Sequence, residues 1–136
     1  MRVVLDTNVL ISAALRNRLP EQVFKTLIGR NDWFWLVTQS LLAEYERVLR
    51  RPALGIPRAH QDQWLQLARD HAALVDAPEP TVEFARDRKD IHVLHAAMAG
   101  AADYLITGDK DFAEAQRLVT TRIVSVAEFA RLFGIT

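Results

Sequence analysis

A chain of 136 residues, half of them hydrophobic, has enough apolar surface for one compact core, so a single domain over residues 1–136 is expected. Its 17 basic and 17 acidic residues cancel, so no whole-molecule field marks a nucleic-acid binder and any phosphate contact has to be local. Cysteine is absent, which excludes disulfides and thiolate zinc sites and fits a reducing cytosol.

The first element is Val3-Val4-Leu5, whose two β-branched valines predict a short buried strand. It ends abruptly in Asp6-Thr7-Asn8. A carboxylate therefore leaves the apolar layer at the carboxyl end of a strand, the edge where open α/β sheets hold ligands. The same residues also cap helices well, and apolar residues 9–15 predict a helix behind them. Asp6 stands too close to Met1 for a signal-peptide apolar region, and no apolar run approaches the roughly 20 residues of a membrane span. A cytoplasmic protein without membrane contact is expected.

Pro20 suits the first position of a helix ending at Gly29, with Val23, Phe24, Leu27 and Ile28 on one face. Residues 33–37 predict a second strand, with Trp33, Phe34 and Trp35 in its core. Thr38 or Ser40 then caps a helix with the stripe Leu41, Leu42, Tyr45, Val48 and Leu49, stopped by Arg51-Pro52. After the turn at Gly55-Ile56-Pro57, a helix over 58–73 points Trp64, Leu65, Ala68 and Ala72 inward. Leu74-Val75 predicts a third strand, cut off by a loop at Pro78 and Pro80. Residues 90–100 are helical, 103–107 form a fourth strand, and Gly108-Asp109-Lys110-Asp111 is its exit loop. A short helix over 112–118 precedes a fifth strand at 122–124. Ser125 and Glu128, at capping-box spacing, open a last helix that Gly134 closes. Strands alternating with helices imply a parallel sheet with helices on both faces.

In such a sheet all strands exit on one edge. Asp6 and Asp109 leave the first and fourth strands there, and if those strands are neighbours the two carboxylates face each other. Glu44 lies early in the helix after the second strand. It borders the apolar stripe on one side and Glu46 on the other, so the helical wheel does not choose between them. Asp90 opens its helix and falls within the inward arc of Leu94, Ala97, Met98 and Ala101. Four acids at one edge repel unless a cation joins them. An oxygen-only ligand set suits Mg²⁺ or Mn²⁺, which makes its water acidic enough to attack a phosphodiester. Asn8 and Thr107 supply supporting polar groups.

Four segments, Val3-Val4-Leu5-Asp6-Thr7-Asn8-Val9-Leu10, Ser40-Leu41-Leu42-Ala43-Glu44, Asp87-Arg88-Lys89-Asp90 and Tyr104-Leu105-Ile106-Thr107-Gly108-Asp109-Lys110-Asp111-Phe112, together resemble the PIN-domain nucleases. Within that family the likeness is to the toxins of bacterial toxin–antitoxin pairs (VapC-like). The resemblance implies a three-layer α/β/α sandwich with a parallel five-stranded sheet in the order 3-2-1-4-5. It also implies a Mg²⁺- or Mn²⁺-dependent endoribonuclease with Asp6, Glu44, Asp90 and Asp109 as the acidic cluster, the metal resting on Asp6, Asp90 and Asp109. Asn8 and Thr107 carry over as supporting residues, with Asp111 as an extra acid. A homodimer silenced by an antitoxin protein is implied as well. Related sequences often have two adjacent aspartates and a lysine where this chain has Asp90, Ile91 and His92. Aligning Asp90 with the first aspartate needs no gap up to Asp103, and Asp87 stands in reserve.

Arg16 and Arg18, and with them Arg86, Arg88 and Lys89, are candidates to grip RNA phosphates. Arg47, Arg50 and Arg51 are assigned to the surface, as are His92 and His95. Two other functions compete. One is a catalytically weak nuclease fold kept as a protein-interaction module. The other is a phosphatase of the haloacid dehalogenase type, which wants an aspartate where Asn8 stands.

Overall fold

Val3, Val4 and Leu5 are almost wholly excluded from solvent because their strand, β1 (Arg2–Leu5), is the middle of the sheet. The computed structural model describes residues 1–77 and 88–136, leaving out also the side chains at 88–90, 111, 113, 117 and 118. The expected loop at Pro78 and Pro80, together with Arg86 and Asp87, lies outside the described residues. Around β1 stand β2 (Phe34–Val37), β3 (Ala72–Leu74), β4 (Tyr104–Ile106) and β5 (Arg122–Val124), in the order β3-β2-β1-β4-β5. Every neighbouring pair is parallel. The fold is the three-layer α/β/α sandwich that the alternating pattern and the family resemblance imply.

The helices are α1 (Thr7–Ala14), α2 (Arg18–Gly29), α3 (Gln39–Leu49), α4 (Arg58–His71), α5 (Arg88–Ala99) and α6 (Val126–Phe133). Thr38 caps α3 by accepting the Leu41 N–H at 3.1 Å, and Ser125 caps α6 by accepting the Glu128 N–H at 3.0 Å. Most of the core is one cluster spanning the sheet, from Val23 and Phe24 to Leu105 and Phe129. A smaller one joins Ile11 of α1 to Val48 and Leu49 of α3 and Leu65 of α4.

Several expectations need correction. Pro20 is the third residue of α2, not the first; a helix has no use for its first-turn N–H groups, so proline is tolerated there. Phe34 is half exposed while Trp33 and Trp35 are buried, because strand side chains alternate and Phe34 opens β2 at the entry edge. Residues 110–118 form a 3₁₀ segment. Of the arc expected to face inward from α5, Leu94 and Ala97 are buried but Met98 and Ala101 are exposed, and Ile91, Val93 and Ala96 are buried as well. A helix packed against both the sheet and α3 is covered over more than one stripe. For the same reason His92 and His95 are half-buried and not surface residues, with His92 Nδ1 and His95 Nε2 shielded from solvent.

Candidate active site

The register that pairs Leu5 of β1 with Ile106 of β4 sets the next residue of each strand, Asp6 and Thr107, side by side at the exit edge. The Asp6 N–H donates to the Ile106 carbonyl at 2.9 Å, and Thr107 Oγ1 donates to Asp6 Oδ2 at 2.7 Å. Thr107 Oγ1 also accepts the Asp109 N–H at 3.1 Å, which ties the exit loop carrying Asp109 to the same point. Asp109 is exposed, whereas Asp6 and Thr107 are buried.

Asp6 occupies the N-cap position of α1, yet its side chain makes no capping hydrogen bond. Its main-chain carbonyl accepts from Val9 and Leu10, which leaves the carboxylate to the site. Burial raises the Asp6 pKa above the ordinary carboxylate range. The Thr107 hydroxyl and the Thr7 N–H pull it down, and the negative charges of Glu44 and Asp109 push it up. No described basic side chain forms an ion pair with Asp6.

Of Glu44 and Glu46, the first is the one the fold buries. Glu44 is 7% exposed and turned to the site, while Glu46 points out towards Arg50. Thr7 Oγ1 donates to Glu44 Oε2, and the exposed Arg47 guanidinium stands 3.7 Å from Glu44 Oε1. Behind them the buried Tyr45 hydroxyl donates to the Leu5 carbonyl at 2.6 Å. Burial raises the Tyr45 pKa, with the charges of Asp6 and Glu44 adding to it, so the phenol stays protonated and remains a donor.

Asp90 is the third residue of α5, and its side chain lies outside the described residues, as does that of Asp111. Arg88 and Lys89 open the same helix, also without described side chains. Asn8 is exposed on the first turn of α1. Arg16, past the far end of α1, and Arg18, the first residue of α2, are exposed. Thr7 and Tyr45 are what sequence reasoning missed, while Arg47 is on the surface as expected. Thr7 reads as a cap and Tyr45 as part of an apolar stripe. The only signal was adjacency, since Thr7 follows Asp6 and Tyr45 follows Glu44.

Among the described residues no group of three His, Cys, Asp or Glu side chains is close enough to hold a metal ion. The chemistry of the donors nonetheless fits a hard cation. Asp6 and Glu44 are buried carboxylates, each oriented by a hydroxyl, and Asp6 has no described cationic partner. The repulsion in such a pair is relieved by a proton on Asp6 or by a cation that joins the two carboxylates.

Residues 2–111 match the model of the PIN domain. The chain belongs to the PIN-domain family. Two solved structures are similar to this PIN domain throughout. One is VapBC2 from Rickettsia felis bound to a DNA fragment from its promoter, with 14% identity and a TM-score of 0.65, covering 92% of this chain and 98% of that one. The other is VapBC-1 from nontypeable Haemophilus influenzae, with 13% identity and a TM-score of 0.64, covering 93% of this chain and 99% of that one. The sequence matches no curated protein. No described helix is long and apolar enough to cross a membrane.

Proposed function

We propose that this PIN domain is a Mg²⁺- or Mn²⁺-dependent endoribonuclease, the toxin of a toxin–antitoxin pair. The observation that carries the reading is the buried Asp6 carboxylate, oriented by Thr107 beside Glu44 and without a described cationic partner. When bound, a divalent cation supplies positive charge for the phosphoryl oxygens and lowers the pKa of water. Asp6 and Asp109, just past the ends of the neighbouring β1 and β4, would hold it, with Asp90 as the third ligand and Asp87 in reserve. Glu44 is available to take a proton from the attacking water, its orientation fixed by Thr7. Asn8 and Asp111 add polar groups around the cluster, and Arg16, Arg18, Arg86, Arg88 and Lys89 hold RNA phosphates.

The antitoxin partner is supported by the two similar structures, both described as VapBC assemblies. A homodimer in the cytoplasm completes the reading. The test is cleavage of a mixed RNA substrate by the purified protein with Mn²⁺. The wild type is expected to cut, EDTA to stop it, and Asp6→Asn to abolish it. Cutting by Asp6→Asn at the wild-type rate would overturn the reading.

A further inference from the structure

Two hydrogen bonds join the segment of Asp6 to the segment of Glu44, and they run in opposite directions. The residue after Asp6 donates to Glu44, through Thr7 Oγ1 and Glu44 Oε2. The residue after Glu44 donates to the carbonyl just before Asp6, through Tyr45 Oη and Leu5 O at 2.6 Å. We propose that Thr7 and Tyr45 are positioning residues that hold the Glu44 carboxylate against that of Asp6, so that Glu44, beyond its role as proton acceptor, adds a ligand to the same cation site. The inference rests on the functional reading above and adds to it how the pair is kept together without the ion.

The physical case starts from repulsion. Two buried carboxylates push each other apart, and a glutamate with three rotatable bonds would relieve this by swinging outward. Both braces are stiff. Thr7 is 5% exposed and β-branched, with restricted χ1, and its hydroxyl is committed to Glu44. Tyr45 is fully buried, its ring next to that of Trp35 at 6.2 Å, so its hydroxyl cannot move unless the core opens. The choice of hydroxyls is also informative. A buried lysine or arginine would hold Glu44 as well but would bring its own charge, and a cation would then have to compete with it. A hydroxyl fixes the direction of the carboxylate and leaves its charge in place. Among the described residues the basic group at Glu44 is Arg47, which reaches the other oxygen from solvent, where water screens it.

The test is calorimetric titration of the full chain with Mn²⁺ alone, comparing wild type, Thr7→Val, Thr7→Ser, Tyr45→Phe and Asp6→Asn, each with a melting curve. Thr7→Val keeps the shape and removes the donor; it is expected to weaken Mn²⁺ binding about 10- to 100-fold. Tyr45→Phe is expected to weaken it in the same direction. Thr7→Ser restores the hydroxyl and is expected to stay within about threefold of wild type. Wild-type binding by Thr7→Val, or equal weakening by Thr7→Ser, would overturn the inference. So would a loss that merely follows the unfolded fraction in the melting curve. Should Thr7→Val not fold, Tyr45→Phe decides by the same criteria. Undiminished Mn²⁺ binding by Asp6→Asn would instead overturn the functional reading, whatever the Thr7 variants do.

Discussion

Asp6 is a carboxylate kept where its charge is uncomfortable. Burial holds its pKa above the ordinary range, and the nearby charges of Glu44 and Asp109 add to the effect. Without metal, the folded chain therefore binds this proton more tightly than the unfolded chain does. Between the ordinary carboxylate pKa and the raised one, stability falls as pH rises. Metal-free Asp6→Asn is thus expected to melt about 2–4 °C above wild type at pH 7.5, with the gap closing towards pH 4, as read by scanning calorimetry. A lower melting temperature at neutral pH would make Asp6 a support of the fold and not a site acid. Thr107→Val leaves Asp6 Oδ2 without its hydroxyl donor and the Asp109 N–H without its acceptor. Metal-dependent RNA cleavage is expected to drop about 10- to 100-fold, measured at saturating substrate. At this scale the sequence is readable where chemistry breaks a pattern, as when Asp6 interrupts an aliphatic strand. It is silent where a hydroxyl hides inside one, as with Tyr45 in its apolar stripe, because a core tyrosine and a bracing tyrosine look the same.

Most strands and helices were legible because a residue with a physical reason bounds them, but the junction of α4 and β3 was not: the helix expected to reach 73 stops at His71, and the strand expected at Leu74-Val75 is Ala72–Leu74. Thr38, Ser125 and Gly134 cap as their chemistry demands, and Gly134 adopts the left-handed conformation at φ 65°. The end of α5 shows what the sequence conceals. Gly100 looks like its terminator, yet the left-handed residue is Ala101, at φ 49°. Its N–H bonds the Met98 carbonyl and the next N–H that of Ala97, a Schellman closure. Gly100 serves packing instead, since a Cβ there would lie 2.7 Å from Leu36 Cδ1 and 3.2 Å from Val75 Cγ2. Only a partner across the fold reveals that constraint. The two neighbours are therefore expected to respond oppositely in urea denaturation. Ala101→Gly relieves backbone strain and is expected to gain about 0.5–1 kcal/mol. Gly100→Ala crowds the core and is expected to lose about 1–3 kcal/mol.

Over the whole molecule, one sheet topology determines what meets at the site. The order β3-β2-β1-β4-β5 makes β1 and β4 neighbours, and only for that reason do residues a hundred positions apart share a hydrogen bond. Local sequence patterns fixed the strands but not their order, which the family likeness supplied. On the proposed reading, a cation bound at that edge stabilises the fold by mass action, so metal and stability are linked. At Mn²⁺ about 100-fold above its dissociation constant, the wild type is expected to gain about 2.7 kcal/mol, or about 8 °C in melting temperature. Asp6→Asn is expected to gain almost none. The most direct measurement is therefore one pair of melting curves at pH 7.5, wild type against Asp6→Asn, with EDTA and again with Mn²⁺. The variant should melt higher in EDTA and lower in Mn²⁺, so that the order reverses. An order unchanged by Mn²⁺ would contradict a cation site built on Asp6.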